Sequence, residues 1–372
     1  MVPSADRRET AQRLRVVVLF GGRSTEHSIS CATAGGVLGA IDREHFDVLP
    51  IGITRDGAWT LQPDDPAGLT LGARLPEVVD NGTRVFLPAS ARMREWTVVS
   101  AEGATSSLGP IDVVFPILHG PFGEDGTVQG AFELVGVPYV GNGVLASAVA
   151  MHKHFTKSVL AAAGLSVAPW VTLTRAEVRA GRDGWRQRVE ALGLPVFVKP
   201  SRSGSSVGVS KVAVRGELDA ALETAFEYDH HVIVEQGMVG REIELAVLEG
   251  RDGAPPRVSL AGEIVVTGRD FYDFEAKYQD APGIELLCPA PLTDGELAEA
   301  QRLAAAAFQA VGCAGLARVD FFLTADGFVV NEINTMPGFT PISMFPRCWL
   351  ASGMSYPELI TELVELGLAA ER

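Results

Sequence analysis

Arg318, Asp320, Glu332 and Asn334 are residues whose types and spacing could do chemistry. They lie in "LARVDFFLTADGFVVNEIN", where two apolar runs flank an Asp-Gly pair, a strong local hairpin signal. With Ala325-Asp326-Gly327 as a bulged three-residue turn and Gly327 in the left-handed position, Thr324 faces Phe328. Counting back, Asp320 faces Glu332 and Arg318 faces Asn334. Alternate residues share a face, so the four form one polar patch. Two opposed carboxylates repel, and a divalent cation relieves that repulsion. Oxygen ligands of this kind suit Mg²⁺ shared with phosphate oxygens. The competing reading is a salt-bridge cluster in which Arg318 neutralises Asp320 and no metal binds.

The metal reading needs phosphate-binding equipment elsewhere, and "KPSRSGSSVGVSK" (199–211) supplies a candidate. Gly204, Ser205, Ser206 and Gly208 sit between two strand candidates, where backbone N–H groups and hydroxyls can meet phosphate oxygens. Lys199, ending the strand, adds a point charge. No G-K-S, G-K-T or G-x-G-x-x-G occurs, so neither a Walker loop nor a dinucleotide fingerprint is present. A Ser/Gly hairpin tip without function is the alternative. At "VIVEQGMVGREIE" a strand gives way to a short connection whose backbone groups can meet a planar heterocycle, with Glu242 in reach of a sugar hydroxyl; a simple connector is the bland alternative. "GRDFYDFEAKYQDAPG" carries Phe271, Tyr272, Phe274 and Tyr278, which either close over a ligand or form a satellite core. Glu26 in "GGRSTEHS" either caps a helix start or binds a substrate ammonium at the carboxyl end of the first strand.

These side chains need elements to position them. "RVVVLF" followed by Gly21-Gly22 and "HSISCATAGGVLGAI" reads as strand, glycine turn and helix, the start of a doubly wound unit. "FDVLPIGIT" and "IDVVFPIL" are further core strands, and residues 62–110 between them read as a peripheral insertion of low definition. One helix is expected through "GVLASAVAMHKHFTKSVLAAAG", ended at Gly164. "LPVFVKPS", "VGVSKV" and "HVIVEQ" are strands of a second unit, with "GELDAALETAFEY" helical. A third unit has the strands "EIELAVLEG" and "RVSLAGEIVV", the helix "DGELAEAQRLAAAAFQAVG", the hairpin and a closing amphipathic helix, "SYPELITELVELGL". The elements predict an α/β protein of several units.

Composition narrows the partners. The net charge of −15, with no basic stripe, argues against nucleic acid as the main partner. No apolar run reaches a membrane span, and the N-terminal stretch lacks a signal core, so a cytoplasmic location is expected. The four cysteines show no C-x-x-C spacing. Only five of the 31 basic residues are lysines, Lys153, Lys157, Lys199, Lys211 and Lys277, which makes each worth inspecting.

Taken in order, "VVVLFGGRSTEHSIS", "HGPFGEDGTVQG", "KPSRSGSSVG", "FYDFEAKY" and "NEINTMPGFTPISMFP" resemble the motifs of the D-alanine–D-alanine ligases of the ATP-grasp superfamily, over more than 300 residues. The resemblance implies a three-domain ATP-grasp ligase. A Rossmann-like N-terminal substrate domain would span 1–141 and a central subdomain with the Ser/Gly loop 142–235. A C-terminal subdomain, 236–372, would carry the metal hairpin and a closing loop at 267–283. It implies ATP-dependent joining of two D-alanines through an acyl phosphate for cell-wall peptide. Another ATP-grasp carboxylate–amine ligase, or a D-alanine–D-lactate or D-serine ligase, is the alternative.

By the same resemblance, Lys153, Lys199, Ser205 and Ser206 meet the phosphates, and Glu235, Gln236, Gly237 and Met238 the adenine. Glu242 meets the ribose, and Tyr272, Asn331 and Glu332 complete the ATP contacts. Asp320, Glu332 and Asn334 match the ligands of two Mg²⁺ (or Mn²⁺), and a monovalent cation is a further candidate. Glu26 would hold the first ammonium, with Ser205 and Tyr278 behind it and His119 nearby. Arg318 and the Gly338 N–H match the oxyanion-stabilising groups. Lys277 and Ser343 match the clamp on the second carboxylate, and Met344 the wall beside its methyl, where relatives often carry Leu. Gln236 stands where relatives often carry Lys. A homodimer is the implied assembly, with D-alanine and ATP as small-molecule partners.

Overall fold

Five successive residues of β1 (Leu14–Gly21), Val16 to Phe20, are almost wholly inaccessible, as expected of a strand covered on both faces. The computed structural model describes residues 13–72, 75–181, 184–266 and 283–370. β1 pairs in parallel with β2 (Phe46–Ile53) and β7 (Val113–Ile117), and β3 (Trp59–Leu61) adds an antiparallel edge, giving the order β3-β2-β1-β7. The chain leaves β1 through Gly21 and Gly22, with φ of 90° and 94°, and enters α1 (His27–Ala40). A Cβ on Gly21 would lie 2.3 Å from the Ile53 carbonyl oxygen, so a side chain there would force the turn apart.

The stretch expected to be poorly defined, 62–110, instead builds an antiparallel sheet of β4 (Arg84–Phe86), β5 (Glu95–Val99) and β6 (Thr105–Pro110). Trp96 and Val98 alternate inward from β5, and the fully buried Trp96 ring tilts against Trp59 at 6.2 Å. Three short strands with one aromatic anchor give too weak a pattern to read from sequence.

The second sheet, β10-β9-β11-β8, is antiparallel throughout, from β8 (Trp170–Thr174), β9 (Val196–Pro200), β10 (Ser210–Val212) and β11 (His231–Gln236). α7 (Leu218–Tyr228) covers it with Leu218, Leu222 and Phe226. β8 and the short helices α5 (Arg175–Ala180) and α6 (Trp185–Glu190) lie in a stretch to which the sequence pattern assigns no element.

The third sheet has the order β14-β13-β12-β15-β16, from β12 (Arg241–Leu248), β13 (Arg257–Val266), β14 (Ile284–Leu287), β15 (Leu316–Thr324) and β16 (Gly327–Asn334). α8 (Asp294–Val311) starts at a capping box of Thr293 and Glu296 and lays Ala300, Ala304, Ala307 and Phe308 over it. The expected single helix before Gly164 is two, α3 (Val144–Met151) and α4 (Lys153–Ala162), broken at His152. The Lys153 N–H leaves the helical ladder for the Ser201 carbonyl (2.9 Å), and the Thr156 hydroxyl takes up the Val149 carbonyl at the break (2.8 Å). After α2 (Thr127–Val135) in the first unit and α9 (Met344–Ala351) in the third, the chain ends in α10 (Tyr356–Ala369). Leu359, Ile360, Leu363 and Val364 of α10 join Val16, Val18 and Phe20 in one core, so the last helix covers the first sheet. No helix among the described residues is long and apolar enough to cross a membrane.

Candidate active site

The hairpin of β15 and β16 places Asp320 opposite Glu332 and Arg318 opposite Asn334, as the sequence predicts, but by a different route. Thr324 pairs with Gly327 and Leu323 with Phe328, so the turn has two central residues, Ala325 and Asp326. A regular continuation would set Asn331 opposite Asp320. A bulge between Asp320 and Phe321 on one strand and Val330 and Glu332 on the other takes Asn331 out of register, and that single extra residue turns Glu332 and Asn334 onto the polar face.

On this face Arg318 forks onto Asp320, Nε to Oδ1 and Nη2 to Oδ2, both at 2.7 Å, while Asn334 Nδ2 donates to Asp320 Oδ2 at 3.0 Å. Arg318 also lies 3.2 Å from Glu244 on β12, which sits opposite Asp320 in the neighbouring pairing. Burial opposes the Arg318 charge, but Asp320 and Glu244 more than offset it and hold the guanidinium well above its ordinary range. The donor set of two opposed carboxylates and a carboxamide oxygen is hard and anionic, which fits Mg²⁺ or Mn²⁺.

Glu26 stands at the N-cap of α1, yet its side chain makes no capping bond. Instead Ser205 Oγ donates to Glu26 Oε1 at 2.5 Å, across 179 residues of chain. Ser205 and Ser206 hold left-handed φ of 49° and 58°, a conformation that costs a side-chain-bearing residue about 1–3 kcal/mol. The strain turns the Ser/Gly loop toward the carboxyl end of the first sheet. Lys153 Nζ donates to the Ser203 carbonyl (2.6 Å) and so braces the same loop from the start of α4. His119 is buried beside these groups and bonds through Nδ1 to the Met336 carbonyl (3.1 Å). Burial lowers its pKa, against the pull of Glu26.

Lys199 Nζ donates to Glu235 Oε2 at 2.6 Å, and Glu235 is almost completely buried. Burial would raise the Glu235 carboxyl, but Lys199 and then Lys157 override it and hold it at about 2. Glu332 and Glu242 also lie within the field of Lys199, so the loop, connector and hairpin residues converge. The connector offers fewer backbone donors than expected: the Gln236 N–H is taken by the Pro169 carbonyl (3.0 Å) and the Gly237 N–H by Pro195 (2.8 Å).

Ser343 precedes α9 and bonds Thr340 through both its hydroxyl (2.7 Å) and the Thr340 N–H (3.2 Å). A Cβ on Gly338 would come within 3.2 Å of Ser343 Oγ, so the two sit side by side. Met344 is buried with its thioether against the Gly262 backbone on β13. Tyr272, Lys277 and Tyr278, with most of the 267–283 segment, lie outside the described residues.

Sequence reasoning missed Glu124. Its Oε2 accepts from the Gly120 N–H (2.6 Å) and its Oε1 from the Met336 N–H (3.2 Å), joining the turn after β7 to the turn after β16. Burial, reinforced by the charge of Glu26, pushes its carboxyl up to about 8. The signal was available: "GPFGED" sets two acids among glycines beside His119, where no helix pattern requires them. Glu244 was hidden because it reads as one polar residue in an otherwise ordinary strand.

The family described as "D-ala D-ala ligase N-terminus" matches residues 15–142, and "D-ala D-ala ligase C-terminus" matches 159–365. A D-alanine--D-alanine ligase of Arthrobacter sp. (strain FB24) is 54% identical over 358 residues, covering 95% of this chain and 94% of the relative. That of Streptomyces coelicolor is 52% identical over 368 residues, covering 95% and 93%. Among solved structures, the D-alanine-D-alanine ligase from Coxiella burnetii superposes with a TM-score of 0.80 at 37% identity, covering 96% of this chain and 94% of that one. The VanG D-Ala:D-Ser ligase from Enterococcus faecalis gives a TM-score of 0.82 at 35% identity, covering 96% and 100%.

Proposed function

The chain belongs to the D-alanine–D-alanine ligase family, and from that premise we propose how its residues divide the work. It is an ATP-dependent ligase that joins two D-alanines for cell-wall synthesis. A carboxylate oxygen of the first D-alanine attacks the γ-phosphorus, ADP leaves, and an acyl phosphate forms. The amine of the second D-alanine then attacks the acyl carbon, and phosphate departs with the electron pair of the C–O bond while the nitrogen's surplus proton passes to the departing phosphate or solvent.

Glu26 holds the first ammonium, fixed by Ser205 and flanked by His119. Lys153, Lys199, Ser205 and Ser206 take the phosphates. Glu235 and the Gln236–Met238 backbone border the adenine, Glu242 the ribose, and Asn331 and Glu332 the polyphosphate. Arg318 and the Gly338 N–H face the oxyanion of the tetrahedral intermediate, and Ser343 takes the second carboxylate beside Met344. Tyr272, Lys277 and Tyr278 keep the roles that the resemblance gives them. Asp320, Glu332 and Asn334 would hold Mg²⁺ or Mn²⁺, which when bound supplies charge neutralisation at the transferring phosphate. Catalysis here is chiefly positioning and electrostatics. Substrate, central and C-terminal regions correspond to 1–141, 142–235 and 236–372. The enzyme works in the cytoplasm, where ATP is, as a homodimer whose mass light scattering would read.

The observation that carries this reading is the 2.5 Å contact between Glu26 and Ser205. It supports the reading because it brings Glu26 directly against the Ser/Gly loop, so that the carboxylate of a D-alanine held by Glu26 would meet the γ-phosphate. The test is phosphate release from ATP with and without D-alanine, with the product identified. Release that does not depend on D-alanine would overturn the assignment. Because a D-Ala:D-Ser ligase superposes equally well, D-serine supplied together with D-alanine belongs in the same assay, and D-alanyl-D-alanine should dominate.

A further inference from the structure

Lys157 lies one turn after Lys153 on α4, on the same face, and is 2% exposed. Its Nζ is 3.4 Å from Glu235 Oε1 and 3.4 Å from the Ala168 carbonyl, with the Trp170 ring centroid at 6.0 Å. Lys199 holds the other oxygen of the same carboxylate at 2.6 Å. One buried carboxylate therefore meets two ammonium groups, although one is enough to neutralise it. A buried lysine is costly, and burial does lower the pKa of this one, with Glu235 resisting. The second cation needs a reason.

The reason follows from what Lys199 must do. As a phosphate ligand it has to leave Glu235, and a buried carboxylate left without a paired cation would oppose that move. We propose that Lys157 is a positioning residue, the standing counter-ion of Glu235, which lets Lys199 exchange that carboxylate for a phosphate oxygen of ATP. The two lysines occupy different carboxylate oxygens, so the departure of one leaves the bond of the other intact. α4 thereby carries two linked tasks: Lys153 braces the phosphate loop, and Lys157 releases the lysine that joins it. The proposal rests on the reading of Lys199 as a phosphate ligand.

The test uses the full-length enzyme and Lys157→Met, which keeps the length of the side chain without its charge, with Lys157→Gln as a second uncharged variant and Lys157→Arg as the conservative one. Calorimetric titration with Mg-ATP and with its β,γ-imido analogue should show Kd raised about tenfold to a hundredfold in the uncharged variants. It should be largely restored in Lys157→Arg. KM for ATP should follow Kd while KM for D-alanine stays unchanged. The melting temperature of the ligand-free Lys157→Met protein should change little, since Lys199 still pairs with Glu235 there, while the upward shift given by ATP shrinks. In a Glu235→Gln background, Lys157→Met should add little further loss. A lower ligand-free melting temperature with unchanged nucleotide Kd would mean a purely structural lysine and would overturn the proposal while leaving the nucleotide site standing. Failure of the unaltered enzyme to bind ATP would overturn the site itself.

Discussion

Single side chains set the charge balance of this site. Glu332 faces Asp320, so Glu332→Gln keeps the shape and removes one carboxylate of the proposed metal set. Turnover should fall by orders of magnitude at limiting Mg²⁺. The melting temperature should change little, because the relieved repulsion from Asp320 is offset by lost attraction to Lys199, Lys157 and Arg318. Near-normal turnover at limiting Mg²⁺ would mean that the face is structural. Glu124 gives a prediction in pH. Its carboxyl is raised from an ordinary 4.5 to about 8, by burial first and Glu26 second. Between those values the folded protein keeps a proton that the unfolded chain has lost, so this group's stabilisation is full below pH 4.5 and is lost as pH rises through 8. Melting temperatures of the unaltered enzyme should therefore decline from pH 5 to 8 more steeply than those of Glu124→Gln. The amide costs the variant one N–H partner at every pH, which shifts its curve without tilting it. Parallel curves would show that Glu124 does not titrate in this window.

At the scale of elements, the break between α3 and α4 places Lys153 against the Ser/Gly loop. The Thr156 hydroxyl holds that break by donating to the Val149 carbonyl (2.8 Å). Thr156→Val keeps the side-chain shape and removes this bond, leaving the Val149 carbonyl with the His152 N–H (3.1 Å), a loss of about 0.5–1.5 kcal/mol in urea unfolding. KM for ATP should rise as Lys153 loses its placement, and an unchanged KM would separate the break from nucleotide binding. This break was illegible in sequence, since the apolar period runs through "VLASAVAMHKHFTKSVLAAAG" and only a tertiary partner, the Ser201 carbonyl, interrupts it. The hairpin shows the opposite case. Its polar face was legible because strand parity fixes which residues meet, but the sequence could not tell a three-residue turn from a two-residue turn followed by a bulge at Asn331. Both insert one residue, and both bring Asp320 to Glu332. Glu26 was legible as a candidate, and the loop that meets it came from a distant segment whose strained φ values no local pattern announces.

Over the whole molecule, the three larger sheets serve chemistry only if the first is locked to the third. Asn142, just after the first unit's last parallel segment, supplies that lock. Its Nδ2 donates to the Leu316 carbonyl (2.6 Å) and the Thr335 carbonyl (2.9 Å), and its Oδ1 accepts from the Ala314 N–H (3.0 Å). One buried side chain thus ties the start of β15 to the end of β16, next to the turn that carries Gly338. α10 closes the same junction from outside, with the Tyr356 hydroxyl donating to the Phe339 carbonyl (2.7 Å). Asn142→Leu fills similar space but strands three backbone groups, two of them buried, so unfolding should become easier by about 2–4 kcal/mol. If the lock also aims the Gly338 N–H at the oxyanion, kcat should drop at least several-fold while KM for ATP stays near normal, because the phosphate loop and its lysines are braced separately. A variant that loses stability but keeps full kcat would show that Asn142 only holds the units together and leaves the oxyanion turn to its own contacts.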